Sequence, residues 1–477
     1  RTEYRYPEDE KRPPLYSILL SIRPNNIDPI LYGRIFMFGI SIVFLYTFEK
    51  FLRFFIKEEK YINLGLLLLA LNPVFLYWSI RVYADVFFSL LVLLSMYVFT
   101  KDKKRTILLG ILSGLSILTR FEGYLLFVSL ALGISLSGIK KFDFKSIFAS
   151  VFKTNILSVI SYTLSSIVVL GPWLIYRNPF VSSYFEEPAG RKYDIEMVWT
   201  YVVSLVFIFG FTSAIYFLIR NKRNLLTFFK DNIPVTAFLV LELLLILSWP
   251  AAIPRLFVPI IPFFVLILSF SIKEYFESTT KKDIILLLIN IGVLFVYIIS
   301  QYYLKLQFLI PTKYLFILLC LIQFKSIILL YLKRYNWYIY SMLVSSFIWS
   351  LSVIYLHKDN FISIKNAAMY VSENISGRVA YNDVSSVSNW YINESPNRSV
   401  SLTGYHYDFE KNALLTYESL SKQPLDYLLI TNEHNTTMDI DLEKRPYLTL
   451  VKEFSYNVNG KIFSSRIVKL DKEYKYE

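Results

Sequence analysis

The sequence predicts an all-α polytopic membrane domain of about twelve spans, followed by a small extracytoplasmic α/β domain. Three observations predict this. From residue 30 the chain is a succession of apolar runs of roughly 18 to 22 residues, enough to cross about 30 Å of hydrocarbon as helix. The loops between runs alternate between lysine-rich segments and segments holding isolated charges. From about His357 the apolar runs stop and short amphipathic segments replace them. With 55% hydrophobic residues and a mean hydropathy of +0.45, the chain is an integral membrane protein rather than a large soluble enzyme.

Residues 1–29 read as an external loop, in which Glu8-Asp9-Glu10-Lys11-Arg12 leads into Pro13-Pro14, a stiff, extended approach to the membrane. An arm of this charge on the outside predicts at least one further membrane helix upstream of Arg1. The polytopic domain then occupies 30–356, with spans expected at 30–50, 61–80, 84–100, 106–119, 122–138, 154–175, 198–219, 233–249, 255–272, 284–303, 308–332 and 337–356. Within 106–138, Leu118 to Gly123 interrupts what would be one long helix, and two short helices meeting at the outer surface fit the charges better. Lys325 falls inside a span and is expected to snorkel to the interface.

The basic loops are 57–60, 101–105, 140–153, 220–231, 273–283 and 333–334; the other set holds Arg81 with Asp85, Arg120 with Glu122, Arg177 onward, and Arg255. The Lys/Arg bias assigns the first set to the cytoplasm and the second to the outside of a multi-pass plasma-membrane protein. Every unusual charge in the apolar stretches is thereby expected at one end of its span, and isolated charges at a membrane face are functional candidates. The net charge of +13 is spread over these loops; it suits anionic headgroups and supplies no basic stripe for nucleic acid.

The tail, 357–477, reads as helix 361–375, strand 378–382, helix 384–392, buried strand 424–431 and two strands, 447–458 and 461–470, joined at Asn459-Gly460, a strong hairpin signal. Because a span running outward precedes it, it is expected outside, and the sequons at Asn374, Asn393, Asn397 and Asn435 all lie in it. The single cysteine, Cys320, lies in an apolar run and rules out a disulfide framework.

No Gly-rich phosphate loop, H-E-x-x-H or paired-Cys motif is present, and His357, His406 and His434 all lie at or beyond the start of the tail. General-base work in the membrane domain therefore falls to carboxylates. Four constellations stand out: Glu10 before Pro-Pro; Arg81-Val82-Tyr83-Ala84-Asp85; Thr119-Arg120-Phe121-Glu122; and Arg255 opening a stretch punctuated by Pro259 and Pro262. Each has a bland reading: a solvated loop for the first, a helix N-cap for Asp85, a junction ion pair for Arg120 and Glu122, and interface anchoring for Arg255.

Taken in order, Lys11-x-Pro13-Pro14-Leu15-Tyr16, Asn72-Pro73 with Arg81 and Asp85, Leu118-Thr119-Arg120-x-Glu122-Gly123, Pro172-Trp173 with Arg177-Asn178, and Arg255 with Pro259 and Pro262 resemble the GT-C polytopic glycosyltransferases. The resemblance is to the group containing protein O-mannosyltransferases and the lipid A aminoarabinose transferase, and it covers roughly residues 8–272 plus the soluble tail. It implies a polyprenyl- or dolichyl-phosphate sugar donor, used on the non-cytoplasmic face by inverting transfer to a hydroxyl of a glycan, lipid or protein. In that family the main catalytic carboxylate sits in the first external loop, which here would lie upstream of Arg1. Asp85 matches the second acid, and Glu10 resembles an acid that binds metal in some relatives, so a divalent metal is the one cofactor the resemblance allows. The histidine that partners that metal has no counterpart in an external membrane-domain loop here.

The chemistry of the residues agrees. A leaving phosphate needs cations, and arginine offers bidentate donors that stay charged when partly desolvated. The expected roles are therefore catalytic for Asp85 and Glu10, and substrate-binding for Arg81, Tyr83, Arg120, Glu122, Arg177 and Arg255. Trp173 and Trp249 lie beside them in sequence, suited to stacking or anchoring. The rival readings are a polytopic transporter or lipid flippase, which would need mid-membrane polar groups and broken helices, and a non-catalytic scaffold.

Overall fold

A computed structural model of the chain describes residues 13–137 except 25, 155–176, 195, 197–201, 214–249, 254–278, 284–304, 313–356, 358, 361–381, 387–393, 400–406, 417–422, 425–432, 442–458 and 461–474. It divides into two compact units, Arg5–Tyr355 and Leu356–Glu477.

The first unit is helical. Its helices are α1 Leu15–Ser21, α2 Pro29–Leu52, α3 Glu59–Ala70, α4 Pro73–Ser79, α5 Ala84–Lys101, α6 Thr106–Ile117, α7 Gly123–Ser135, α8 Ile156–Tyr176, α9 Ala214–Arg220, α10 Lys222–Asp231, α11 Ile233–Ser248, α12 Ile261–Ser278, α13 Ile284–Leu304, α14 Lys313–Tyr331 and α15 Tyr335–Leu356. Among the described residues five helices are long and apolar enough to cross a membrane, or up to seven if each of two bent pairs is one span. The expected count of about twelve is therefore matched only in part.

Proline chemistry accounts for two of the differences. The run 61–80 is not one helix: it bends by 61° between α3 and α4. Pro73 has no N–H and cannot continue α3, while the Asn72 side chain accepts from the backbone N–H groups of Val74 and Phe75 at 3.1 and 3.0 Å and restarts the helix. Likewise 255–272 opens with a single 3-10 turn, Pro254–Phe257, and α12 begins only at Ile261, with Pro262 in its first turn. The stretch 106–138 forms the two short helices expected, of 12 and 13 residues. Only residues 214–219 of the expected span 198–219, and its first four, are described.

The buried core is rich in rings, with Phe44 against Phe75 at 4.9 Å and Phe51 edge-on to Phe263 at 6.0 Å. α2 turns the stripe Ile35, Phe38, Ile42 and Tyr46 outward, as a helix bordering lipid must. α5 is the most enclosed of the five spans, 61% buried, so the acid in its first turn is held by packing on several sides.

Among the described residues, basic loops at 57–60, 220–231 and 273–278 gather at one end. Lys273 pairs with Glu58 at 2.9 Å, Asn224 donates to Glu274 at 3.0 Å, and Lys60 donates to Asn336 at 3.4 Å, which ties 57–60, 220–231, 273–278 and the first turn of α15 together. The 18 residues of α5 put about 27 Å between that end and Asp85. Lys325 is exposed on the flank of α14.

The second unit is a five-stranded sheet of order β2-β1-β3-β5-β4, formed by Gly377–Tyr381 (β1), Val400–His406 (β2), Tyr427–Thr431 (β3), Leu448–Val458 (β4) and Lys461–Leu470 (β5). β2, β1 and β3 are parallel, β5 and β4 antiparallel, and Val458 pairs with Lys461 across the expected two-residue turn. Alternation along β3 sends Leu428 and Ile430 to one core and Leu429 to another. Helix α16, Ile362–Asn374, covers the second face with Ala367, Ala368 and Val371. The short helices α17, Val387–Asn393, and α18, Tyr417–Ser421, complete the unit. β2 and α18 have no counterpart in the sequence reading.

Candidate active site

Three chain segments meet at the end of the helical unit opposite the basic loops. The first is 81–85. Tyr83 is extended (φ −135°, ψ 147°) and makes no side-chain cap, and α5 starts at Ala84. Asp85 therefore lies inside the first helical turn, where the positive end of the helix dipole favours a carboxylate. It is not the N-cap: its carboxylate accepts from Nη1 of Arg120, 35 residues away.

The second segment is the hairpin between α6 and α7. α6 closes with Thr119 and Arg120 both bonding back to the carbonyl of Ser116 at 3.1 and 2.9 Å. α7 can follow at once because Gly123 has no side chain: a Cβ there would stand 2.4 Å from the Ile117 nitrogen. The tight apex presents Arg120 and Glu122 side by side, and Nη2 of Arg120 donates to Oε1 of Glu122. One guanidinium thus clamps two acids, with side-chain exposures of 2% for Asp85, 8% for Glu122 and 14% for Arg120. Its two Nη groups bond protein carboxylates, which anchors the apex to the start of α5.

The third segment is the Pro254–Phe257 turn, held to α5 by the Ser89 hydroxyl donating to the Val258 carbonyl at 3.2 Å. The guanidinium of Arg255 lies over Tyr83 at 5.8 Å, and Arg255 also acts electrostatically on Glu122. Arg81 stacks on Tyr77 at 4.2 Å, and Tyr77, Trp78 and Tyr83 form an edge-to-face run at 5.0 and 5.1 Å. Two buried donors here, Nε of Arg255 and Nε1 of Trp78, have no hydrogen-bond partner among the described residues. That is the reverse of what a merely structural cluster leaves behind.

The remaining motifs converge on the same end where they are described. Leu15, after Pro13-Pro14, donates its N–H to the Leu118 carbonyl at 2.8 Å, and Tyr16 packs on Phe87 at 6.2 Å. Trp173 packs on Phe121 at 6.1 Å. Trp249 offers its backbone carbonyl to the Tyr201 hydroxyl at 2.8 Å. Glu10 and Arg177 lie outside the described residues. Among the described residues no group of three His, Cys, Asp or Glu side chains converges, so they assemble no divalent-metal site.

One member was missed by the expectation that every charge sits at a span end. Glu242 lies within α11, 2% exposed, and feels the charges of both Glu122 and Arg120. The close approach of α7 and α11, where a Cβ on Gly133 would meet Pro234 Cγ at 2.1 Å, brings it there. A single acid inside sixteen otherwise uncharged residues was the available signal. Trp78 was missed because an indole in an aromatic helix carries no mark of its unpaired N–H.

No family model matches the sequence, and no curated protein matches it. Two solved structures share its fold. ArnT from Cupriavidus metallidurans in the apo state superposes with a TM-score of 0.58 at 12% identity, over 96% of this chain and 88% of that one. The same protein bound to undecaprenyl phosphate gives a TM-score of 0.56 at 10% identity over the same shares. Over 96% of its length this chain shares the fold of ArnT, the resemblance its ordered motifs carried.

Proposed function

We propose that this chain is a membrane glycosyltransferase that moves a sugar from a polyprenyl-phosphate donor to an acceptor hydroxyl on the non-cytoplasmic face, with inversion at the anomeric carbon. The observation that carries the reading is the pair of buried donors without acceptors, Arg255 Nε and Trp78 Nε1, beside the Asp85–Arg120–Glu122 clamp. The structure of ArnT bound to undecaprenyl phosphate, a protein of the same fold, supports it.

In the reaction the acceptor oxygen bonds to the anomeric carbon as the bond from that carbon to the phosphate oxygen breaks, and the acceptor proton passes to a carboxylate. The leaving phosphate gains a negative charge, which Arg255, Trp78 and Arg81 suit by charge and hydrogen bonding. Donors already fixed in an apolar setting need no reorganisation, and losing one such donor costs about 10²- to 10³-fold in rate. Asp85, pinned by Arg120, orients the acceptor hydroxyl and assists its activation. Arg120 serves chiefly to hold both acids in place.

A transporter or flippase is the second reading. The bends of 61° and 105° between helix pairs and the mid-helix Glu242 are features it needs. Membranes containing the protein, incubated with labelled polyprenyl-phosphate sugars, separate the two. Transfer to endogenous acceptor, with Arg255→Ala raising the donor KM about 30-fold, is expected. No transfer across several donors, together with solute uptake, would overturn the proposal.

A further inference from the structure

The Glu242 carboxyl is out of keeping with everything around it. It is 2% exposed, its Oε2 has no hydrogen-bond partner among the described residues, and it stands in a helix of otherwise uncharged side chains. Its nearest charged neighbours offer no relief. Glu122 carries like charge, and Arg120 is already shared between Asp85 and Glu122. A buried carboxyl without a donor is destabilising relative to a leucine of similar size, because it has given up its hydration for nothing.

We infer that Glu242 is the sugar-recognition residue of this site: its unpartnered oxygen accepts hydrogen bonds from hydroxyls of the donor's sugar. This rests on the glycosyltransferase reading and goes beyond it by naming where the sugar, as distinct from the phosphate, is held. A carboxyl keeps an acceptor oxygen in either protonation state, and a sugar ring presents adjacent hydroxyls as donors. The site is thereby divided by chemistry. The donors without acceptors, Arg255 Nε and Trp78 Nε1, suit the phosphate; the acceptor without donors, Glu242 Oε2, suits the sugar. The spatial order fits, since Arg255 acts on Glu122 and Glu122 acts on Glu242. Glu242 lies six residues before the end of α11 at Ser248, about 9 Å along the axis, so a ring bound there lies deeper in the bundle than the loops.

The competing account is structural: a neutral carboxyl bonded to Glu122 as part of the scaffold. Leucine, of similar volume and without an acceptor oxygen, separates the two when its binding of the bare lipid phosphate is measured alongside. Purified full-length protein is titrated with undecaprenyl phosphate, and with the same lipid phosphate carrying glucose, galactose or mannose. The wild type is expected to bind at least one hexosyl lipid about tenfold more tightly than the bare lipid phosphate. Glu242→Leu is expected to abolish that difference and Glu242→Gln, whose amide oxygen still accepts, to keep part of it, both binding the bare lipid phosphate within about twofold of wild type. If Glu242→Leu keeps the tenfold preference, the carboxyl is scaffold and the inference fails. If both variants lose the bare lipid phosphate as well, or the wild type prefers no hexosyl lipid, it fails too. Wild-type protein that binds no undecaprenyl phosphate at all removes the functional reading beneath it.

Discussion

Arg120 holds Asp85 and Glu122 at once, and this sharing decides how each position responds to substitution. Arg120→Leu leaves two buried carboxylates uncompensated beside a third, Glu242, a loss of about 3–5 kcal/mol. The expected outcome is a sharply reduced yield of monodisperse protein in size-exclusion chromatography. Asp85→Asn keeps the shape and leaves Arg120 with Glu122, so folded yield is expected to hold while turnover falls about 100-fold. Near-normal turnover would reduce Asp85 to an anchor for Arg120. A second carboxylate test lies in the sheet unit. Asp426 accepts from Lys472 Nζ at 2.6 Å and from the Arg378 N–H at 2.9 Å, and the Lys472 ammonium, first among its neighbours, holds its carboxyl below the usual range. A lowered folded-state value means that the stabilisation is complete above the unfolded value of about 4 and is lost as pH falls through the folded one. The carboxylate is a third exposed, and solvent screening limits the effect to about 1 kcal/mol. Hydrogen exchange of β1 amides in the intact chain is expected to accelerate below about pH 4, and Asp426→Asn to remove that dependence. The sequence marked Asp85, Arg120, Glu122 and Arg255 by their sidedness and by their place in the ordered motifs. It did not reveal that Arg120 faces inward to acids, because an ion pair spanning 35 residues leaves no local pattern.

At the scale of the element, the site depends on helices that approach more closely than side chains ordinarily allow. α7 and α11 touch through Gly133 and Pro234, where an added Cβ would meet ring carbons at 2.1 and 2.9 Å. Gly133→Val must push the helices apart, at about 1–3 kcal/mol, and the displacement reaches Glu242 and Glu122 at the other end of the same pair. Sugar transfer is expected to fall in parallel with thermal stability. Transfer that is untouched in a destabilised protein would show that this packing does not position the acids. Most elements were legible where local chemistry sets them: apolar length for α2, α5, α8, α14 and α15, and the Asn-Gly turn for β4 and β5. What escaped was set by neighbours. The edge strand β2 owes its extension to pairing with β1, and its sequence, with Gly404 and His406, gives no clean alternation. The break between α3 and α4 was written in Asn72-Pro73 but hidden by the unbroken hydrophobicity around it.

For the whole molecule, charge alternation carried the most information, because it orders loops that are far apart in sequence. The hydrogen bonds and ion pairs among 57–60, 224, 273–274 and 336 gather these described basic segments at one end, and the clamp gathers 85, 120 and 122 at the other. The Lys/Arg bias predicts that the basic end faces the cytoplasm, since positive loops resist translocation. α15 starts beside Lys60 at the basic end, and its 22 residues reach about 33 Å, a full crossing, before the chain enters the sheet unit. The sheet unit should then lie on the non-cytoplasmic side. Two single cysteines in a Cys320→Ser background test it: Lys103→Cys in an exposed basic loop and Lys422→Cys, exposed in the sheet unit. A membrane-impermeant maleimide added to intact cells is expected to label the cysteine at 422 and to reach the one at 103 only after permeabilisation. The opposite pattern would put the clamp in the cytoplasm, and with it any lipid-phosphate sugar the protein uses. Labelling of both in intact cells would mean that α15 does not cross.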